Sequence, residues 1–379
     1  MNDLTSEFIE RIHAAPGALR IRGGGSKDFY GNALAGDVLD TRGHAGIVAY
    51  EPSELVVTAR AGTPLAEIEA ALAEQGQMLA FEPPHFSRPA PSERKDGCDG
   101  GQAAGNVEKP GGHGPAAENS TATIGGAVAA GLSGPRRAAA GAVRDYVLGV
   151  KLLDGEGHVL RFGGQVMKNV AGYDVSRLIA GSLGTLGLIL DVSLKVLPRP
   201  AATATLRVEL PQAQALAAMN QWAGRPLPIT ASAWHDAALT VRLAGARAAV
   251  AEAAEKLGGE TLDDDEAERF WAELRDQRHS FFAGAEPLWR LALPSTAAPA
   301  ELPGATLLEW GGGQRWLRSG APAEQIRAVA ARLGGHATLF RGGDKAGGVF
   351  QPQPPALAAL DERVRRALDA RGVFDTGRR

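Results

Sequence analysis

Cysteine is all but missing from this chain: Cys98 is the single example in 379 residues. One thiol cannot close an internal disulfide, nor can it supply the thiolate sets that hold structural zinc or an iron–sulfur cluster. Histidine is thinly spread as well. His13, His44, His85, His113, His158, His235, His279 and His336 show no HxH or HxxxH spacing, so no metal centre of the zinc type is expected. Neither sign of charge is in excess, because 40 basic and 43 acidic side chains leave a formal charge of -3. Such a surface offers no cationic field to a nucleic-acid backbone, and no nucleic-acid partner is expected. Long apolar runs are lacking too. None approaches the roughly 20 residues that span a bilayer, so no direct membrane span is expected and any membrane association would run through a partner. The opening MNDLTSEFIERIHAAPG carries acidic residues and reads as a short amphipathic helix rather than a signal peptide. The cytoplasm is the expected location.

Glycine is what the chain has in plenty, with 49 residues alongside 23 prolines. No three-residue period accompanies them, which excludes a collagen-like helix. Glycine in a non-repeating chain marks turns and places where backbone comes close to something else. An apolar share of 44% supports a buried core, and the length suits two domains.

The first half alternates strand signals with glycine turns and helical periods. LRIR at 19–22 reads as a short strand and breaks into GGGSKDFYG. A strand-like stretch over 46–61 leads into GTPLAEIEAALAEQG, where Leu65, Ile68 and Leu72 repeat at helical spacing and Thr63-Pro64 suits a cap and first turn. Residues 86–120 are rich in Pro, Gly, Ser and charge and have no period, so they are expected to form a long flexible surface insertion. TATIGGAVAAGLSG then reads as a turn into a helix. Two strands follow around Asp154-Gly155, then a short helix at 173–182 and a strand over 186–198 that stops at Pro198. Beyond Pro200 the pattern restarts, with strands and helices in alternation. They are expected to build an antiparallel sheet with helices on one face.

Three glycine segments stand out in the first half: RGGGSK at 22–27, TIGGAVAAG at 123–131 and GSLGTLG at 181–187. Successive glycines let backbone N–H groups converge on an anion, above all where a helix follows. Two common nucleotide motifs are excluded. GGGSK lacks the spacer of a phosphate-loop ATPase, and its lysine is followed by Asp28 instead of Ser or Thr. No GxGxxG opens a βαβ unit with an acid about 20 residues later. Residue pattern alone therefore reaches a large anionic ligand, such as a diphosphate, and stops.

The ordered set RGGGSKDFYG, ATIGGAVAAG, NVAGYDVSRLIAGSLGTLGLI and GVFDTGR, with FRGGD ahead of the last, resembles the flavoproteins of the vanillyl-alcohol oxidase type. More closely it resembles the E subunits of bacterial glycolate oxidases, which bind FAD. The resemblance is strong over residues 1–200 and weaker beyond. It implies an α+β fold: a two-subdomain PCMH-type FAD-binding domain over 1–200, then a smaller α+β domain with an antiparallel sheet over 201–379, its tail packing back on the first. It also implies that Arg22, Gly23, Gly24, Gly25, Ser26 and Lys27 form the first diphosphate turn, and that Thr123, Ile124, Gly125 and Gly126 form the second. Asp174, Arg177, Gly181 and Ser182 fall near the flavin ring in the family, and Gly187 to Ile189 match the strand that meets adenine. Asp174 and Arg177 also suit a plain surface pair at i,i+3.

This chain departs from the family in three ways. The 86–120 insertion separates EPPHF from the second glycine turn, and DTGR stands where Asn-Pro-Gly-Arg is usual. The histidine-containing GDGN-type motif of related catalytic subunits is missing, which leaves the catalytic residues unassigned. Arg315, Arg318 and Arg341, with Trp310 and Trp316, are candidates for a carboxylate clamp, although surface arginines and core tryptophans are the plainer reading. A covalent flavin link would fall to His85 or Cys98. The resemblance implies a subunit of a complex that oxidises glycolate or a related 2-hydroxy acid, partnered by a second flavin subunit and an iron–sulfur subunit. A stand-alone FAD oxidoreductase and a noncatalytic assembly subunit are the alternatives.

Overall fold

A computed structural model describes residues 3–86, 120–164 and 173–379. Residues 87–119 of the expected flexible insertion, Cys98 among them, and the NVAG stretch of the third motif lie outside the described residues.

The first half is built on a five-stranded antiparallel sheet in the order Ile47–Glu51, Val56–Arg60, Leu188–Lys195, Val147–Leu153, Val159–Gly163. The stretch expected as one strand over 46–61 is thus a hairpin. Pro52, with no N–H to offer a ladder, starts a short turn, and Leu55 takes a left-handed φ of 57° before the chain reverses. Helix Leu65–Glu74 packs on this sheet through Leu65, Ile68 and Leu72, all fully buried. Their i, i+3, i+7 spacing places them on one face, and each such burial contributes on the order of 2 kcal/mol. Thr63 does not cap this helix, contrary to expectation. Its hydroxyl is taken up by Gly46, accepting from the N–H at 2.9 Å, and by Arg60, donating to the carbonyl at 2.7 Å. Asp154 does close its hairpin, because one carboxylate oxygen accepts from the N–H groups of Glu156 and His158. A separate parallel pair, Leu19–Arg22 beside Asp37–Asp40, and a short antiparallel pair, Gln77–Met78 beside Leu197–Pro198, complete this half.

The second half is an eight-stranded antiparallel sheet. Its order is Glu260–Thr261, Ala202–Glu209, Ala238–Gly245, Ile229–His235, Ala305–Glu309, Gln314–Arg318, Leu288–Ala292, His336–Arg341. Helices Gln212–Ala223 and Arg247–Leu257 cover one face through Leu206, Leu239, Val241 and Leu308, and helix Ala323–Arg332 extends that layer. Helix Asp264–Arg275 lies on the opposite face, which corrects the expectation of helices on one side. Trp271 donates its indole N–H to Thr205 at 3.0 Å, while the next residue, Leu206, points into the other layer. On that same inner face Leu307, Trp316 and Phe340 pack against Tyr30, Phe86, Leu132 and Leu183 of the first half.

The C-terminus returns to where the chain began. Val373 and Phe374 are buried with Phe8, Ile12 and Leu19, and the Leu19 N–H donates to the Val373 carbonyl at 2.6 Å. Asp369 fixes this turn by accepting from the N–H groups of Val373 and Phe374 at 2.8 and 2.7 Å. No helix among the described residues is long and apolar enough to cross a membrane.

Candidate functional site

A cleft runs between the 22–28 loop, helix Ile124–Ala130 and the start of strand Leu188–Lys195. Of the residues singled out in the sequence, Arg22, Gly23, Gly24, Gly25, Ser26, Lys27, Thr123, Gly125, Gly126, Gly187 and Ile189 line it. Three segments far apart in the chain therefore meet in one place.

Close backbone contact explains the glycines. A side chain on Gly24 would put its Cβ 1.4 Å from the Thr121 carbonyl oxygen, and one on Gly125 would sit 2.5 Å from the Ala61 Cβ. Only glycine lets these segments approach so closely. The result is a loop with a run of N–H groups that find no partner among the described residues. Those of Gly23, Gly24, Gly25, Ser26 and Lys27 make no hydrogen bond among the described residues. All five residues line the cleft, and such a run of unpaired N–H groups forms an anion-binding concavity.

Lys27, which also lines the cleft, carries a charge. It is 7% exposed and makes no ion pair among the described residues; its ammonium is 3.4 Å from the Ser26 hydroxyl and lies over the Phe86 ring. Burial pushes its pKa down to about 8, partly offset by the charge of Asp276. A buried cation without a counter-ion suits an anionic ligand. Arg22 is different, being held by Asp28 at 2.6 Å.

The second glycine turn does not supply donors in the way expected. The Ile124 and Gly125 N–H groups are spent on the Thr63 and Ala61 carbonyls, at 3.0 and 2.9 Å. The Gly126 N–H turns back to the Thr123 hydroxyl, which caps the helix at 3.3 Å. This turn offers a close-fitting wall, with the donors left to the first loop. Ile124 points away into the core and is fully buried.

Four further residues stand outside the cleft. Asp174 and Arg177 form an exposed i,i+3 pair at 3.3 Å, with Asp174 also capping helix Val175–Ile179. Gly181 donates its N–H to Val128, and the Ser182 hydroxyl accepts from Gly184, so both brace the turn that brings Leu183 and Gly184 to the cleft. His85 is buried with its ring 2.9 Å from Glu69 and does not line the cleft. Arg315 and Arg318 are not a clamp: their guanidinium groups donate to backbone carbonyls, those of Gly312, Ala297 and Ala298 for Arg315 and that of Ala283 for Arg318. Arg341 lies over the Phe29 ring and donates to Gln277 at 2.7 Å.

Arg378 was not among the residues singled out, yet it lines the cleft. It donates to the Lys27 and Tyr30 carbonyls at 2.7 and 3.0 Å. The only sequence signal was its place in the terminal GVFDTGR.

Comparison with known proteins agrees with this geometry. A family model described as an FAD binding domain matches residues 5–88 and 96–163. The chain is 44% identical to the glycolate oxidase subunit GlcE of Escherichia coli (strain K12), over 99% of this chain and 97% of that one. A shorter stretch, 22% of this chain and 18% of the other, is 42% identical to the glycolate oxidase subunit GlcD of Bacillus subtilis (strain 168). Among solved structures, an alkyldihydroxyacetonephosphate synthase shares the fold with a TM-score of 0.63 at 13% identity, over 99% of this chain and 75% of that one. The chain belongs to the family of glycolate oxidase subunit GlcE, and its first half is an FAD-binding domain of the PCMH type.

Proposed function

We propose that this chain is the FAD-binding subunit of a complex that oxidises glycolate or a related 2-hydroxy acid. The observation that carries the FAD assignment is the run of unpaired N–H groups from Gly23 to Lys27, together with the buried Lys27 ammonium. A diphosphate has the charge and the acceptors to satisfy both. The residues therefore fit the group the family implies. Gly23 to Ser26 would hold the diphosphate by backbone, Lys27 would offset its charge, and Gly187 and Ile189 would border its far end. Arg378 would keep the 27–30 backbone in place. When bound, FAD would supply the hydride-accepting chemistry that the side chains lack.

The subunit reading extends to two partners, a second flavin subunit bearing the histidine-containing motif and an iron–sulfur subunit. Its support is the near full-length likeness to a protein named as a glycolate oxidase subunit, and the lack of that motif in this sequence. The test is to purify the chain alone, record its visible spectrum, and add glycolate or D-lactate without oxygen. A flavin spectrum unchanged until the other subunits are supplied supports the complex. Bleaching by substrate alone supports an independent oxidoreductase, and failure to take up added FAD sinks the proposal.

A further inference from the structure

Where residues 131–135 leave the helix beside the cleft, a second hollow opens beneath the inner face of the eight-stranded sheet. Its wall includes Phe86, Gln277, Arg290, Glu309, Gln314 and Trp316. Glu309 is only 4% exposed, and one of its oxygens, Oε2, accepts from both the Trp316 indole N–H at 2.6 Å and the Gln314 amide at 2.9 Å. Its other oxygen, Oε1, accepts no hydrogen bond among the described residues. The Gln314 carbonyl in turn accepts from Arg290 at 2.7 Å, so one amide holds an acid on one side and a base on the other.

The pair is held together but not in contact. Arg290 makes no ion pair among the described residues, although its charge favours ionised Glu309. Arg290 is half-buried and lies over the Trp310 ring, whereas Glu309 is buried with one oxygen unpaired, which is costly unless something completes it. A ligand that brings an anion to Arg290 and a hydrogen-bond donor to Glu309 does so, and the hollow is small. We infer that this hollow binds a small 2-hydroxy carboxylate, with the carboxylate at Arg290 and the 2-hydroxyl donating to Oε1 of Glu309. The inference rests on the hydroxy-acid reading above and places a substrate-recognition site within this chain.

The hydroxyl contact needs Glu309 ionised. Burial raises its pKa from 4.5 to about 7, against the hydrogen bonds from Trp316 and Gln314 and the charge of Arg290. Glu82 pushes in the same direction as burial, and is itself paired with Arg242 and Arg136. Preference for the hydroxyl should therefore rise with pH between 6 and 8, which gives the wild-type chain its own test.

The experiment is calorimetric titration of the full chain, loaded with FAD, using glycolate and its hydroxyl-free analogue acetate. Glycolate is expected to bind about tenfold or more tightly than acetate at pH 8, as for a hydrogen bond to a charged group. That ratio should shrink at pH 6. Glu309→Gln should bring it close to one while flavin absorbance is kept, and Arg290→Met should weaken both ligands. No saturable glycolate binding, or a ratio that does not change with pH and survives Glu309→Gln, overturns the inference. Flavin content is read separately. Flavin bound without glycolate binding removes this site and leaves the FAD reading intact, while glycolate binding to a chain that takes up no FAD does the reverse.

Discussion

Glu82 and Arg242 meet at 2.7 Å across the seam between the two halves, each side chain less than one-fifth exposed. Glu82 also accepts from the Arg136 N–H and guanidinium, and Arg242 lies over the Trp271 ring. Burial lowers the Arg242 pKa, and Glu82 is the main influence opposing it. The pair joins the end of the first half's core to the inner face of the second sheet. Removing one partner leaves the other buried and short of a counter-charge. Arg242→Met is expected to destabilise the chain by about 2–4 kcal/mol, less than an isolated buried pair because Arg136 stays with Glu82. Denaturant unfolding of the variant checks this. A loss below about 0.5 kcal/mol would show that the seam holds by apolar packing alone.

The two glycine turns should respond differently to substitution. Gly24→Ala forces Cβ against the Thr121 carbonyl, and Gly125→Val forces bulk onto Ala61, so both must shift the walls of the cleft. Gly126 is less constrained, since a Cβ there meets only the Thr123 hydroxyl, at 3.2 Å, which a few tenths of an ångström of side-chain movement relieves. The expected outcome is loss of FAD retention in Gly24→Ala and Gly125→Val, with near wild-type retention in Gly126→Ala. Flavin absorbance after gel filtration reads all three. Equal loss in the Gly126 variant would mean that its N–H, rather than its shape, serves the ligand.

How far the sequence reveals this site depends on the range of the contacts involved. Glycine 23–25 and 125–126 could be read because a glycine's role is local: the backbone geometry it permits is written in the residue itself. The split of 46–61 into a hairpin is hard to read because apolar runs on both sides of Pro52 mask the short turn it starts. Strand Ile229–His235 is hard to read because its short apolar run follows Pro226 and Pro228 and resembles a loop entry. Glu309 gives no local signal even though Gln314 and Trp316 stand only five and seven residues away, and the partner of Arg290, Gln314, lies 24 residues on. Arg378 has only its place in GVFDTGR, because its partners Lys27 and Tyr30 lie near the opposite chain end. Asp174 and Arg177 show the opposite failure. Their motif context suggested a ligand, but the i,i+3 spacing alone accounts for where they stand.

Lys27 predicts a pH dependence with a definite sign. Its pKa falls from 10.5 unfolded to about 8 folded, chiefly through burial. Between those values the unfolded chain binds more protons, so the stability of the FAD-free chain should rise as pH increases from 8 toward 10. The penalty relieved is on the order of 3 kcal/mol if the ammonium is buried without a partner. A bound diphosphate reverses the argument by supplying the missing counter-charge, and FAD affinity should fall over the same interval. Lys27→Met should abolish both trends. Chemical denaturation and FAD titration at pH 7, 8.5 and 10 measure them, and a wild-type profile that is flat in both would show that Lys27 is not buried as a cation.

Arg378 ties the end of the chain to the loop that carries the unpaired N–H groups. It donates to the carbonyls of Lys27 and Tyr30, while Lys345 from the second half donates to those of Phe29 and Gly31. Two cations from distant parts of the chain thus hold four carbonyls of one short segment. That segment directly follows the unpaired N–H run and shares Lys27 with it, so holding it fixes the end of the run. Arg378→Gln should leave the fold intact, since Val373, Phe374 and the Asp369 turn anchor the tail without it. FAD should bind about tenfold more weakly, the loss expected from hydrogen bonds to a charged group. Hydrogen exchange at residues 27–31 should quicken in the FAD-free chain. If affinity drops but exchange does not change, Arg378 contacts the ligand directly. If neither changes, the tail has no part in shaping the site.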